Sequence, residues 1–361
     1  MRLRLAQVAT LVVVAVLGTQ AQQNGSSTAL TAPPFEIYLD LLRQQAGIPG
    51  MSAAILQDGE VVWERGLGFQ NQEARMRATP DTPYPVADLS ATVASVLLLQ
   101  CVEQRRLELD EPVRRYGVAL PEESATLRQI LNHTSAGTPG ETFKYDPDRF
   151  ALLSGAVEFC APQPYRKSVA HRVLDRLAMK DSVPGRDLQD PNVVPEGLFD
   201  PASLERYARV LGRLAVPYQL DRKGRAVPTD LPAPEGINAS RGLVSTVRDL
   251  AQLDVALDAG ILLQPDTLRM AWTTGAGKDR VPLPVGLGWF VQSHNGEPVV
   301  WHFGVVPKAY SSLIIKLPAR HVTLILLANS DGLSAPFQLA SGDVTRSVFA
   351  TLFLRLFTLG P

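Results

Sequence analysis

Tyr84-Pro85-Val86-Ala87-Asp88-Leu89-Ser90-Ala91-Thr92-Val93 leads out of a proline-broken turn into an apolar helix that continues to about Arg105. Pro80, Asp81, Thr82 and Pro83 break any regular pattern just before it, and no charge interrupts the run from Ala91 to Val102. A helix apolar on all sides is a buried one, so this stretch marks a central element with a single acid, Asp88, at its start. Upstream, Phe35 to Gln45 reads as an amphipathic helix and Gly47-Ile48-Pro49-Gly50 as a turn. Met51 to Leu56 and Val61 to Gly68, on either side of Gln57-Asp58-Gly59, read as a hairpin.

Downstream, residues 86 to about 240 are mainly helical by pattern. Thr126-Leu-Arg-Gln129 is a capping box, Asp200-Pro201 supplies a cap and a first-turn proline, and Val216 to Gly236, with four prolines, reads as an irregular loop. After Gly242, Thr246 opens a helix that Gly260 ends, and Pro265 opens another. Trp289 to Gln292, Pro298 to His302 beyond the Asn295-Gly296 turn, Ser312 to Leu317 and His321 to Leu327 read as three or four antiparallel strands, with a closing helix from Val344 to Phe357. The expected fold class is therefore α/β in the α+β sense, an antiparallel sheet flanked by helices. One sheet is built from both ends of the chain, 35–85 and 241–361, with a helical region, 86–240, inserted between them.

The 361 residues carry a net charge of −1 and no dense Lys/Arg run, which gives no electrostatic basis for binding nucleic acid. Residues 1–21 read as an export signal: Arg2 and Arg4 precede the apolar run Leu5 to Leu17, and Thr19-Gln20-Ala21 resembles a cleavage site. That run is short of the roughly 20 apolar residues of a membrane span, so no stable span is expected after cleavage near Ala21; a retained anchor is the alternative. Residues 22–34 read as a flexible lead-in, and a secreted or periplasmic location follows. Cys101 and Cys160 are the two cysteines. Each lies in an apolar helical pattern, and either separate burial or pairing in an oxidising compartment is open to them. No His/Cys/Asp cluster has ligand spacing, so neither metal nor organic cofactor is expected.

Several segments, in order, resemble the serine β-lactamase and penicillin-binding-protein superfamily, in its class C, D-alanyl-D-alanine carboxypeptidase and esterase branch. They are Gly47-Ile-Pro-Gly-Met-Ser52, the run from Val102-Glu103 through Arg106 to Pro112, Leu131-Asn-His-Thr-Ser135, Gly242 to Leu250, and Gly286-Leu-Gly-Trp-Phe290. The resemblance implies a β-lactamase/transpeptidase-like fold spanning 35–361, in which a Ser-x-x-Lys opens the central helix. Counting back from Val102-Glu103 places Asp88 at the serine position and Ala91 at the lysine position. No lysine in the chain has a serine three residues before it. Ser90 has Val93 where the lysine would stand, and points to another side of the helix. The family's Tyr-x-Asn resembles Tyr145-Asp146-Pro147, so the tyrosine is present and Pro147 replaces the amide. Its Lys/His-x-Gly resembles His302-Phe303-Gly304, after which the N–H of Val305 is the expected second oxyanion donor. His133 reads as architectural.

Asp88 reads first as a helix-start residue that accepts a backbone N–H. A carboxylate there repels the negative charge that acyl transfer develops, so the sequence points to a relative without ordinary serine hydrolase activity. Asp88, Tyr145, His302 and Val305 are its candidate cleft residues. The expected ligand is a cell-wall peptide or a small ester or amide; a protein partner is the other reading. The competing enzyme reading is a hydrolase of β-lactamase, D,D-peptidase or esterase type that works through Asp88 and Tyr145.

Overall fold

The structure is a computed structural model that describes residues 34–358 apart from 191–193, 196, 231–232 and 234–235. The expected signal segment, and the lead-in up to residue 33, lie outside the described residues. Helix α1 (34–45) is followed by β1 (Gly50–Gln57) and β2 (Glu60–Asn71). The two-residue turn between them puts Asp58 and Gly59 at φ 52° and 81°, the left-handed pair that a tight hairpin demands. Next come β3 (Met76–Arg77), β4 (Tyr84–Pro85), and, past a 3-10 turn over Ala87–Leu89, helix α2 (Ser90–Glu103). The helical stretch that follows carries β5 (Val183–Pro184), a hairpin of β6 (Tyr218–Leu220) and β7 (Ala226–Pro228), and β8 (Leu243–Ser245). The chain closes with β9 (Phe290–His294), β10 (Glu297–Val306), β11 (Tyr310–Leu317) and β12 (Val322–Ala328) before a last helix over Val348–Thr358.

The main sheet has the order β3-β2-β1-β12-β11-β10-β9. Strands from the two ends of the chain meet where β1 pairs antiparallel with β12, Met51 opposite Ala328 and Gln57 opposite Val322. Its central strands β1, β12 and β11 are buried on both faces. Ala54 and Leu56 join the core around α2, whereas Met51, Ala53 and Ile55 join the core under α1 and the last helix. This period-2 split explains why β1 reads as a continuous apolar run.

The capping signals act as expected. Thr126 and Gln129 form a reciprocal capping box, and Asp200 and Thr246 each accept an N–H from the first turn of their helices. The expected loop at 216–236 is instead pinned as the β6–β7 hairpin. Tyr218 is buried there, with its N–H donating to the Asn329 carbonyl at 2.8 Å, and the short pairing tolerates Pro228 at its end. Cys101 of α2 and Cys160 of a neighbouring helix form a disulfide, which resolves the pairing that composition left open.

Candidate functional site

A second, three-stranded sheet, ordered β4-β8-β5, assembles the site. Both outer strands run antiparallel to β8. The chain therefore leaves β4 and β5 at the same end at which it enters β8. Asp88 lies three residues past β4, Arg186 two past β5 and Arg241 two before β8. Three charged residues far apart in sequence are thereby brought to the rim of one small sheet. They line a cavity of about 230 Å³ together with Pro85, Ala87, Gly242, Val305, Val306, Pro307 and Tyr310.

The turn that presents Asp88 is held from several sides. Ala87 lies at φ 52°, a left-handed conformation that a residue with a β-carbon adopts only when its surroundings impose it. Val86 donates its N–H to the Leu243 carbonyl at 2.9 Å and accepts from the Ser312 hydroxyl at 2.7 Å. Ser90 donates to the Ala87 carbonyl at 2.7 Å and accepts from the Leu243 N–H at 3.2 Å. That hydroxyl is buried and used on both sides, so Ser90 is a fastening of the turn and not a displaced nucleophile. Gly304 lets β10 approach: a β-carbon there would lie 2.3 Å from the Val86 carbonyl oxygen and 2.9 Å from the Ala87 β-carbon. A side chain at 304 would push apart the two backbones that form the cavity wall.

Asp88 does not cap α2; Leu89 holds that position, with no side-chain hydrogen bond to the helix. Instead, the main-chain N–H of Val305 and its own N–H favour the charged form of the Asp88 carboxylate. Burial pushes its pKa up to about 6, against the pull of the Arg241 guanidinium and of those two N–H groups. Arg241, on the cavity wall, is ion-paired with Asp148. Ala91 is buried in the core around α2.

The other sequence candidates fall in two places. Tyr145 senses the Asp88 charge and packs its ring against His133, Phe290 and Phe303 at centroid separations of 4.8, 5.6 and 5.4 Å. Burial, reinforced by Asp88, holds its phenol well above the ordinary tyrosine range. Pro147 is the first residue of a short helix whose N-cap is Asp146, so the position does backbone work. His302 does not line the cavity. It is fully buried, its Nδ1–H donates to the Phe303 carbonyl at 2.8 Å, and burial pulls its pKa down to about 4. His133 is held neutral in the same way, near 3, and accepts the Asp146 N–H at 3.2 Å. Sequence reasoning missed Arg186 and Arg241, because only the pairing of β4 and β5 with β8 places them beside Asp88. Among the described residues, no group of three or more His, Cys, Asp and Glu is placed to hold a metal ion, and no helix is long and apolar enough to cross a membrane.

Comparison with known proteins bears on this arrangement. The human serine beta-lactamase-like protein LACTB, mitochondrial, is 32% identical over 104 residues, covering 27% of this chain and 19% of that protein. The chain thus spans less than a fifth of that relative's length. The octameric penicillin-binding protein homologue from Pyrococcus abyssi superposes with a TM-score of 0.70 at 23% identity, over 86% of this chain and 76% of that one. The D-amino acid amidase from Ochrobactrum anthropi SV3, in complex with L-phenylalanine, gives 0.67 at 19% identity over 90% and 99%. A family model described as Beta-lactamase matches residues 38–344, most of the molecule and every strand of both sheets around Asp88; the chain belongs to the Beta-lactamase family.

Proposed function

We propose that this chain is an exported, non-catalytic member of its family that binds a small ligand in the cavity beside Asp88. One observation carries the proposal: the Asp88 carboxylate shares the cavity wall with Val305, and the N–H of Val305 and its own N–H favour its charged form. Those donors are the pair that a developing acyl oxyanion would need, and a resident carboxylate fills them with negative charge already in place. Ala91 offers no amine to take a proton, and a nucleophile lost together with its base forfeits about a millionfold in turnover. The alternative, a hydrolase working through Asp88 and Tyr145, needs a base, yet burial and the Asp88 charge both keep the Tyr145 phenol protonated. A cavity of about 230 Å³ suits a small ester, amide or amino compound better than a long cell-wall peptide or a protein segment. The Cys101–Cys160 disulfide supports an oxidising compartment, in keeping with the signal-like first residues.

The test is covalent labelling and turnover with a fluorescent penicillin, a chromogenic cephalosporin and a p-nitrophenyl ester, for the native protein and the Asp88→Ser/Ala91→Lys double variant. The native protein is expected to stay silent. Turnover by the native protein that disappears in Asp88→Ala would overturn the proposal and make Asp88 a catalytic residue.

A further inference from the structure

The cavity beside Asp88 has a polarity opposite to that of an acyl-transfer site. Asp88 and Val305 line it together, and the two main-chain N–H groups that would receive a carbonyl oxygen favour the charged Asp88 carboxylate instead. A carboxylate has about four lone-pair sites, and Asp88 is the acid among the residues that line the cavity. A ligand group placed there must donate hydrogen bonds, and is best matched if it is cationic. Arg186 and Arg241 line the same small space. Arg186 donates to the Ala233 carbonyl at 3.0 Å among its contacts, and Arg241 is paired with Asp148. Asp88 and the two arginines therefore put both signs of charge on the wall of one cavity. Such a wall is complementary to a ligand that carries both signs of charge.

We infer that the site binds a zwitterionic amino acid, or the free end of a very short peptide, with its ammonium on the Asp88 carboxylate and its carboxylate toward Arg186 and Arg241. The inference rests on the non-catalytic reading above and gives it a ligand class. The volume restricts the ligand to about one residue, and Pro85, Val306, Pro307 and Tyr310 offer an apolar wall for its side chain. The elevated Asp88 pKa agrees with a carboxylate that lacks a full counter-charge until a cation arrives.

Isothermal titration of the whole protein with alanine, leucine and phenylalanine, as both enantiomers, tests the inference. The N-acetyl acids, the amino acid amides and the doubly blocked N-acetyl amides are run beside them. The free amino acids are expected to bind, with blocking of the amine or of the carboxylate each weakening binding about tenfold or more. Asp88→Asn is expected to abolish the preference for a free amine and to keep a cooperative thermal transition, which separates loss of recognition from loss of fold. Arg241→Gln should weaken the free amino acids and their N-blocked forms more than the amides. N-acetyl acids binding as tightly as the free amino acids, or Asp88→Asn binding the free amino acids as the native protein does, would overturn the inference and leave the cavity-binding proposal standing. Binding of the doubly blocked amides alone would do the same. If none of the four series binds, both fall.

Discussion

At Asp88, two main-chain donors and a nearby guanidinium hold a carboxylate that burial would otherwise neutralise. Because its folded-state pKa, about 6, lies above the ordinary 3.8, the folded protein binds the extra proton in the window between them. The stability this residue contributes is therefore fully present below about pH 4 and is lost as the pH rises through 6. Comparing native protein with Asp88→Asn by chemical denaturation should show the native form falling behind across that window by about 1–2 kcal/mol, after allowance for solvent screening. The comparison isolates Asp88 from His133 and His302, whose depressed values act in the opposite sense, removing stability as the pH falls. Carboxyl carbon NMR should place the Asp88 midpoint near 6 and move it higher in Arg241→Gln, because the guanidinium favours the ionised form. The acid itself was legible in the sequence. Its orientation was not: a helix-start aspartate ordinarily caps its own helix, and only the arrival of β10, some 200 residues later, supplies the Val305 N–H that turns it away.

Between elements, the site depends on how closely β10 can lie against the turn before α2. Gly304 sets that distance, and a β-carbon there would meet backbone on one side and the Ser312 hydroxyl, 2.7 Å away, on another. Gly304→Ala is expected to cost about 1–3 kcal/mol by overpacking and to weaken ligand binding in the cavity, read by denaturation midpoint and by titration in parallel. Elements whose signals are local were readable in advance: the Asp58-Gly59 turn, the Thr126 capping box and the alternating apolar faces of β1 and β12 all follow from residues within one turn or one strand. The β4-β8-β5 sheet was not, since its strands are two or three residues long and carry no periodicity. Arg186 and Arg241 were hidden with it.

Over the whole molecule, β11 and β12 are tied to the helix over Val247–Asp258 by a buried charge cluster whose residues do not line the cavity. Lys316 of β11 donates to Asp254 at 2.9 and 3.0 Å, to Asp258 at 2.7 Å and to the Thr323 hydroxyl at 3.2 Å. Its side chain is 3% exposed and that of Asp254 4%. Lys316→Ala should cost about 3–5 kcal/mol by stranding a buried acid, whereas Lys316→Met with Asp254→Leu should recover most of it; urea denaturation of the two variants decides. The architecture as a whole was legible because the central strands β1, β10, β11 and β12 are long and apolar and the resemblance spans nearly all of it. The pairing of Met51 with Ala328 sets a schedule as well as a shape. At about 5–20 residues per second, a ribosome delivers β1 roughly 15 to 55 seconds before the strand that must lie beside it. Until then the first hairpin has no neighbour to cover its second edge, and the nascent chain stays open enough to be threaded through a translocation channel, as the export proposed for it requires.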